Sequence, residues 1–472
     1  MDRALVVLAG FASLAPRVAA QRSGSAEAAD RYVSTELARQ RIPGLAVAIL
    51  RGDQVILARG YGFANLEHRV RATDSTVFEV GSVTKQFTAA AVVMLSEQGR
   101  LRLSDPITQY LPEGSSVWSG VTIQDVLTHT SGIPEYDADS TFDWHRDYTE
   151  DEFVRLAAKR PLDFVPGESE SYSSTGYFLL GVIVHRVSGV TWGEFLQRHV
   201  FRPLNMRTAH VNSEADIIPN RAAGYEFTND TLRNQEWVPP TISSTADLGL
   251  SLSARDLAGW AVGLDHEKVL SHAGLEASWS PVRLKSGESY PYGFGWHVTQ
   301  QRGYRRIGHG GSWQGFQASI QRYPDFHLTV IVLANLAQAN TEAIAFGIAG
   351  LMEPVLSAPH LWTGPRTDIT PPRTIDRLLS DIASSADSLE VTPGLRRVTP
   401  TTRRERIGRW VKAITHWTSL GCDTVANRQI TRLGAEIQQI CYAKGATPQG
   451  NILFSILYDA HWRAAGIDVY GF

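Results

Sequence analysis

The sequence is poor in cysteine and has no long apolar run, and these shortages exclude several classes of protein. Two cysteines in 472 residues are too few for a disulfide scaffold or a cysteine-rich zinc site. Beyond the N-terminus, no segment reaches the roughly 18 unbroken apolar residues of a membrane-spanning helix. The net charge is only −3, with 45 basic and 48 acidic residues, so nothing favours nucleic acid or an anionic membrane as a partner.

Sequence motifs for metal ions and phosphates are also missing. Histidines and carboxylates are scattered without the HExxH spacing, and no GxxxxGKS or GxxxxGKT follows a predicted strand. We therefore expect no metal and no cofactor. The composition, 43% hydrophobic and 20% charged, is that of a globular protein, and the length suggests two or three domains.

The N-terminus has the pattern of a secretory signal peptide. Arg3 precedes an apolar stretch over 4–15, and small residues up to Ala20 offer a cleavage position before Gln21. The alternative is a disordered, slightly apolar N-terminus. We expect a signal peptide at 1–20, cleaved near Ala20, and an exported protein that is periplasmic or extracellular.

Turn and periodicity signals predict an α+β domain over 27–356. Two β-branched runs flank an Arg-Gly-Asp turn at 51–53, which predicts a hairpin. One helical face follows within 87–95, and two strands with a Pro-Asp turn between them lie at 316–333. Further helices are expected at 121–130, 172–187 and 340–352. Strands early and late with helices between them predict one sheet built from both ends of this segment, with a helical insert.

The character of the sequence changes after Pro354. Four prolines mark a linker at 357–373. Helical patterns are expected at 375–389 and 407–417, and strands at 437–442, 452–458 and 467–472. Helices followed by strands within about 100 residues predict a small separate α+β domain over 374–472.

One of the six lysines has a serine three residues before it, at the start of a predicted helix. Residues three apart share a helix face, so Ser82 and Lys85 are expected to be neighbours. A serine hydroxyl is a weak nucleophile until a nearby base takes its proton, and a lysine with a lowered pKa can be that base. On its own, such a pair is more often an N-cap serine with a surface lysine.

Several segments, in the expected order, resemble those of the β-lactamase-related serine hydrolases. This family includes class C β-lactamases, D-Ala-D-Ala carboxypeptidases, D-aminopeptidases and family VIII esterases. The matching segments are VFEVGSVTKQF around Ser82, VLTHTSGIP at 126–134, PGESESYSSTGYF around Tyr172, RPLNMRTAH at 202–210, YGFGW at 292–296 and GHGGSWQGF at 308–316. The resemblance covers about residues 42–352 and implies a β-lactamase/transpeptidase-like fold, an antiparallel sheet flanked by helices plus a helical subdomain.

The resemblance implies three catalytic residues. Ser82 is the acylated nucleophile, Lys85 assists its deprotonation, and Tyr172 is a general base or acid. A tyrosine needs a positive neighbour to ionise at pH 7, and Lys85 would be one. Considered alone, Tyr172 is more often a half-buried core aromatic.

The resemblance also implies a strand that lines the site. His309, Gly310 and Gly311 stand where the family has Lys-Thr-Gly, His-Thr-Gly or similar, and the glycines allow close backbone approach to a ligand. The family's oxyanion hole uses the amide of the nucleophile and one on this strand, which implies the amides of Ser82 and Ser312. Considered alone, His309 is more often a satisfied structural histidine.

Two positions depart from the family's pattern. Ser174 replaces the asparagine of the Tyr-x-Asn triplet, and a serine lacks the two donors of the amide. His309 stands in place of lysine, and a neutral histidine offers no permanent cation to a substrate carboxylate. These departures favour esters or uncharged amides over penicillins and C-terminal carboxylates.

Three further features have either a structural role or a role that the sequence leaves open. His129 is expected to cap a helix and contact the core. Cys422 and Cys441 either form a disulfide, as export permits, or remain two buried thiols. The domain that contains them resembles the NTF2-like or SnoaL-like cone in layout, and it either restricts the active-site mouth or helps oligomerisation.

The sequence therefore predicts an exported serine hydrolase that cleaves an ester or amide bond of a small-molecule or peptide substrate through a Ser82 acyl-enzyme. The first alternative is a penicillin-binding D-Ala-D-Ala carboxypeptidase or a β-lactamase, which requires carboxylate binding near His309. The second is a catalytically silent relative that binds the cell wall or a partner protein. Intact Ser82, Lys85 and Tyr172 argue against this second alternative. The oligomeric state stays open.

Overall fold

The computed structural model describes residues 15–136, 142–143, 145–357, 374–384, 391–397, 401–424, 431–432, 435–447 and 450–471. Most of the expected signal peptide and nearly all of the expected linker lie outside these residues. The first described element is α1 (Ala15–Arg39), and the expected cleavage position near Ala20 falls within it, so that cleavage stays a prediction. In the described part of the chain, no helix is both long and apolar enough to cross a membrane.

Fourteen strands are described up to Met352. They are β1 (Gly44–Arg51), β2 (Gln54–Asn65), β3 (Val70–Arg71), β4 (Phe78–Glu79), β5 (His210–Val211), β6 (Tyr225–Thr228), β7 (Thr231–Asn234), β8 (Leu250–Leu252), β9 (Val282–Arg283), β10 (Ser289–Tyr290), β11 (His297–Gln301), β12 (Tyr304–Trp313), β13 (Phe316–Tyr323) and β14 (Leu328–Ala334). Seven of them form one antiparallel sheet in the order β11-β12-β13-β14-β1-β2-β3. Because β1 pairs with β14, Val47 opposite Val332, the prediction of one sheet from both ends of this segment is confirmed.

Helices lie on both faces of this sheet. Those after α1 are α2 (Lys85–Glu97), α3 (Ile123–Leu127), α4 (Glu150–Ala157), α5 (Ser174–Ser188), α6 (Trp192–Leu196), α7 (Pro240–Ser243), α8 (Ala254–Asp265), α9 (His272–Ser278) and α10 (Thr341–Met352). Successive side chains of a strand point to opposite faces. On β1, Ala46 and Ala48 therefore join the buried cluster of α2 and α8, whereas Val47 and Ile49 join that of α1 and α10.

Helix α2 is the centre of the larger cluster. Every residue from Lys85 to Leu95 is buried, which is typical of a helix surrounded by other elements on all sides. A 3₁₀ turn, Gly81–Thr84, precedes it and carries Ser82. The predicted helix over 87–95 is thus confirmed, and it begins at the lysine of the Ser-x-x-Lys motif.

Helix α5 begins later than predicted. Its expected start was Tyr172, but Ser173 is the N-cap, in extended conformation, and its side chain accepts a hydrogen bond from the Gly176 amide. Gly189, in the left-handed region with φ 77°, ends the helix as expected. Tyr172 therefore lies on the segment that leads into the helix.

The C-terminal elements follow the predicted order of helices, then strands. They are α11 (Ile375–Ser384), α12 (Pro393–Arg397), α13 (Thr401–Ala413), β15 (His416–Thr424), β16 (Thr431–Arg432), β17 (Ala435–Glu436), β18 (Gln439–Thr447), β19 (Gly450–Tyr458) and β20 (Ala464–Gly471). Four of these strands form an antiparallel sheet in the order β15-β18-β19-β20. The helical interpretation of Trp417 was wrong, because this residue lies on β15.

A disulfide joins two strands of the C-terminal sheet. Cys422 on β15 is directly opposite Cys441 on β18, with the two Cα atoms 3.9 Å apart, and the two sulfurs are bonded. Of the two sequence interpretations, the structure shows the disulfide. The C-terminal elements also share a buried cluster with Tyr290 and Tyr292, and Tyr172 packs against that cluster.

Candidate active site

Ser82 and Lys85 lie side by side at the start of α2. The Lys85 Nζ atom is 3.2 Å from Ser82 Oγ, within hydrogen-bond distance. Ser82 is partly exposed, whereas Lys85 is completely buried. A Ser-x-x-Lys that arose by chance would be expected to have its lysine at the surface, and Lys85 is not at the surface.

The Lys85 ammonium has two further oxygen partners. Its Nζ donates to the Asp247 backbone carbonyl at 3.0 Å and to Ser174 Oγ at 3.3 Å. Ser174, which stands where relatives have asparagine, thus reaches the lysine with its hydroxyl. The oxygens of Ser174 and Asp247 therefore fix the position of the amine beside Ser82.

Tyr172 presents its ring to Lys85. The Nζ atom lies 4.8 Å from the centroid of the Tyr172 ring, a distance typical of a cation–π contact. The Tyr172 ring also packs against His129, with ring centroids 4.3 Å apart. Tyr172 also lines the same cleft as Ser82. The structure therefore brings the three predicted catalytic residues together.

His129 follows the end of α3 and supports the segment that holds Tyr172. The C-cap of α3 is Thr128, and the backbone of His129, the next residue, is in the left-handed region with φ 60°. The His129 Nδ1 atom accepts a hydrogen bond from the Ser173 amide at 3.1 Å. The pKa of the imidazole is well below its ordinary value, mainly because the ring is buried and also because Lys85 is near. The expected core contact is confirmed, whereas the cap position belongs to the residue before His129.

The 3₁₀ turn of Ser82 lies directly against strand β12. A methyl group on Gly311 would lie 1.9 Å from the Val80 carbonyl oxygen and 3.0 Å from the Ser82 nitrogen. A methyl group on Gly81, whose φ is 50°, would lie 2.8 Å from the Ser312 nitrogen. Only glycine permits this approach, and it brings the amides of Ser82 and Ser312 close to each other.

His309 is buried and neutral. The Tyr292 hydroxyl donates to its Nε2 at 3.0 Å, and its Nδ1 donates to the Gly310 carbonyl oxygen at 2.5 Å. Its pKa is well below the ordinary value because the ring is buried, and His297 and Lys85 add to the shift. Both ring nitrogens are therefore occupied within the protein, and the position provides no cation to the cleft.

Two carboxyl groups near Lys85 had no sequence signal. Glu135 accepts hydrogen bonds from the Ser174 and Thr175 amides at 2.8 and 3.2 Å, at the N-terminus of α5. Asp247 is completely buried next to the carbonyl that Lys85 binds. Burial raises the pKa of both carboxyls, and the Lys85 charge opposes that rise. Glu135 directly follows the VLTHTSGIP segment, which is the only hint that the sequence offers.

A cleft of about 530 Å³ opens at Ser82. Strand β12 forms one wall and the start of α10, with the loop before it, forms another. The lining residues are Ser82, Tyr172, His297, His309, Gly310, Gly311, Ser312, Gln317, Ala318, Ala337, Gln338, Ala339, Asn340, Thr341 and Glu342. The predicted residues of the site thus meet at one opening, except Lys85 and Ser174, which lie behind Ser82.

Two known proteins are similar to this chain in amino-acid sequence. A penicillin-binding protein of Bacillus subtilis is 30% identical over 61% of this chain and 67% of its own length. A D-aminopeptidase of Gluconobacter oxydans is 29% identical over 67% of this chain and 61% of its own length. The chain thus matches only about two thirds or less of these two relatives.

A solved structure shares the fold. The octameric penicillin-binding protein homologue from Pyrococcus abyssi superimposes with a TM-score of 0.63 at 22% identity, covering 94% of this chain and 98% of that one. This likeness extends beyond the segment recognised by sequence. The Beta-lactamase family model matches residues 29–346, more than half of the chain. The chain therefore belongs to the β-lactamase family of serine hydrolases.

Proposed function

We propose that this protein cleaves an ester or amide bond through an acyl-enzyme on Ser82. The observation that carries the proposal is the 3.2 Å separation of Ser82 Oγ from the Nζ of a completely buried lysine. The amine is held within hydrogen-bond distance of the hydroxyl, which is the position that a base needs to take the serine proton. The hydroxyl oxygen then becomes a competent nucleophile.

The reaction has two halves. In the first, Ser82 Oγ bonds to the substrate carbonyl carbon while its proton passes to Lys85, and the carbonyl oxygen becomes an oxyanion. The amides of Ser82 and Ser312 stabilise this oxyanion; one such donor is worth about 3–4 kcal/mol. The carbonyl then re-forms as the bond to the alcohol or amine breaks, and this leaving group takes the proton from Lys85 by way of Tyr172. In the second half, water attacks the acyl carbonyl carbon and gives a proton to Lys85. The bond from the carbonyl carbon to Ser82 Oγ then breaks, Oγ regains the proton and the acid is released.

Esters and uncharged amides suit the site better than carboxylate-bearing β-lactams. In the penicillin-binding and β-lactamase alternatives, a cation must bind the substrate carboxylate. His309 lies at the position where relatives have lysine, and it is neutral with both ring nitrogens occupied. We therefore place the carboxypeptidase and β-lactamase activities second.

The catalytically silent alternative is disfavoured by Ser174. The loss of asparagine at this position was the one feature that supported it. Ser174 Oγ nevertheless reaches Lys85 Nζ at 3.3 Å, so the contact to the lysine is retained by a different residue. A site without function has no reason to keep this geometry.

A panel of substrates tests the proposal. Wild type should hydrolyse p-nitrophenyl esters and amino-acid p-nitroanilides, and Ser82→Ala should not. Ser286→Ala, on an exposed turn, is the matched control and should behave as wild type. Incubation with benzylpenicillin separates the alternatives: a lasting adduct favours a penicillin-binding enzyme, and loss of the drug without adduct favours a β-lactamase. Equal rates for wild type and Ser82→Ala would overturn the proposal.

We also infer that the protein is exported and that residues 374–472 form a separate NTF2-like domain after a linker at 357–373. The apolar N-terminus supports export, and the disulfide fits an oxidising compartment. The four-stranded sheet and its helices support the domain. Two measurements test these inferences: the N-terminal sequence of the exported protein, expected to begin at Gln21, and limited proteolysis, expected to cut within 357–373.

A further inference from the structure

The wall of the cleft carries one carboxylate and no lysine or arginine. Among the residues described as lining the cleft, Glu342 is the only carboxylic acid, and none is a lysine or arginine. His309, on the same wall, is neutral. Lys85 lies behind Ser82 and is held by oxygen atoms of the protein. Glu342 is therefore the acidic group that a substrate meets at this opening.

The fold holds this carboxylate over the strand that lines the site. Glu342 lies in the first turn of α10, and a methyl group on Gly310 would be 3.1 Å from its Oε1. Because residue 310 is glycine, there is room beside it for the Glu342 carboxylate. The buried Gln321 amide donates to the same Oε1 at 3.4 Å. The carboxylate is accordingly positioned by two elements of the protein, even though its side chain is exposed.

Glu342 is near the place where a substrate carbonyl would bind. Gly310 is two residues before Ser312 on β12, and a strand rises about 3.3 Å per residue, so the two are about 7 Å apart. The carboxylate of Glu342 lies against Gly310 and lines the same cleft as Ser82. A group that binds Glu342 is then only a few bonds away from the carbonyl at Ser82.

The negative charge of Glu342 opposes the preference of a helix N-terminus for anions. The N-terminus of an α-helix carries about half a positive charge and favours anions. The N-cap and first turn of α10, residues 340–342, line the cleft. A full negative charge in this turn outweighs the helix and makes the opening favourable to cations.

We propose that Glu342 binds an ammonium group of the substrate and so selects amine-bearing esters and amides over carboxylate-bearing ones. This inference rests on the proposed hydrolase function and adds a substrate class to it. An ion pair with an exposed carboxylate changes kcat/KM by up to about fivefold. An α-amino group has a pKa near 8, so it is mostly protonated at pH 7 and the test is best made there.

Three p-nitroanilides that differ only at the amine provide the kinetic test. They are alanine p-nitroanilide, its N-acetyl derivative and its N-succinyl derivative, each in the D and L forms. We expect wild type to prefer the free amine over the acetyl compound by up to about fivefold and to use the succinyl compound least. Glu342→Gln should remove most of that preference and improve use of the succinyl compound. Glu276→Gln, an exposed glutamate on α9, is the control and should keep the wild-type ratios.

Ligand binding to an inactive variant tests the role of Glu342 independently of hydrolysis. In Ser82→Ala, calorimetry should show alanine amide binding more tightly than N-acetylalanine amide, and the added Glu342→Gln change should abolish the difference. Equal binding of the two amides to Ser82→Ala, or a preference that survives Glu342→Gln, would overturn the role of Glu342. If ester and anilide hydrolysis is absent while the binding preference is present, the reaction proposal fails and the ammonium site stands.

Discussion

Ser174 Oγ lies 3.3 Å from Lys85 Nζ, which also lies 3.2 Å from Ser82 Oγ. The Ser174 hydroxyl accepts a hydrogen bond from the amine, as the oxygen of an asparagine side chain would. A hydroxyl cannot also offer an amide N–H₂ to a substrate. The site therefore keeps the contact with Lys85 and lacks one donor for substrate binding.

Substitutions of two neighbouring serines distinguish an effect of the Ser174–Lys85 contact on rate from an effect on stability. Ser174→Ala should lower kcat by about tenfold or more, since a hydrogen bond to a charged group is worth about 1.5–3 kcal/mol. Ser173→Ala should leave kcat nearly unchanged and cost about 1 kcal/mol of stability, because Ser173 is the N-cap of α5. Steady-state kinetics and thermal melts of both variants check this pair. An equal loss of kcat in both would contradict the assignment.

Lys85 is expected to matter for both rate and stability. Lys85→Met should lower kcat by about 10²–10⁴-fold, the usual range for loss of a general base. It should also cost about 3–5 kcal/mol of unfolding free energy, because the buried carboxyls of Glu135 and Asp247 lose the positive charge that offsets their burial. Lys159→Met, at an exposed position, is the control for both measurements. A wild-type kcat in the folded fraction of Lys85→Met would contradict the role of the lysine in the reaction.

Asp247 should make the protein less stable as the pH rises. Burial raises the pKa of this carboxyl above its unfolded value of about 3.9, although the Lys85 charge opposes the rise. The folded state then binds the proton more tightly, so stability is lost as the pH rises from the unfolded pKa through the folded one.

Asp247→Asn removes this titration. Its melting temperature relative to wild type should improve from pH 4 to pH 7, and Asp216→Asn, at an exposed position, should show no such trend. Thermal melts across that pH range test the expectation. A relative stability of Asp247→Asn that does not change with pH, or that falls, would contradict it.

The disulfide should stabilise the C-terminal sheet. Cys422 and Cys441 are 19 residues apart, and closing a loop of this size is worth about 3 kcal/mol in the chain-entropy model. A reductant should therefore lower the melting transition of the wild type, and the double variant Cys422→Ala/Cys441→Ala should melt at the lower temperature with or without reductant. Alkylation followed by mass spectrometry should find no free thiol before reduction.

Local patterns predicted the elements that surround the nucleophile. The two apolar runs around 51–53 became the β1–β2 hairpin, and the periodic run after Ser82 became α2. Turn residues and apolar spacing act within a few residues, so one sequence is enough to read them. The ordered motifs then indicated that Ser82 and Tyr172 would share one opening, as they do in the structure.

Contacts between distant parts of the chain were not predictable in this way. The carbonyl that Lys85 binds belongs to Asp247, 162 residues away, and no periodicity marks that position. Glu342 reaches the cleft because α10 packs on β13 and β14 and because residue 310, on β12, is glycine. Trp417 fitted a helical stripe by spacing, but β15 had already begun, because spacing does not report where a helix ends.

The most direct test of the central claim is to trap the acyl-enzyme. Wild type and Ser82→Ala would be mixed with a p-nitrophenyl ester, quenched in acid during turnover, digested and analysed by mass spectrometry. We predict that the acyl group is found on the peptide that contains Ser82, in the wild type alone, together with a burst of p-nitrophenol equal to the enzyme concentration. Hydrolysis without an acylated Ser82, at the same rate in Ser82→Ala, would contradict the account.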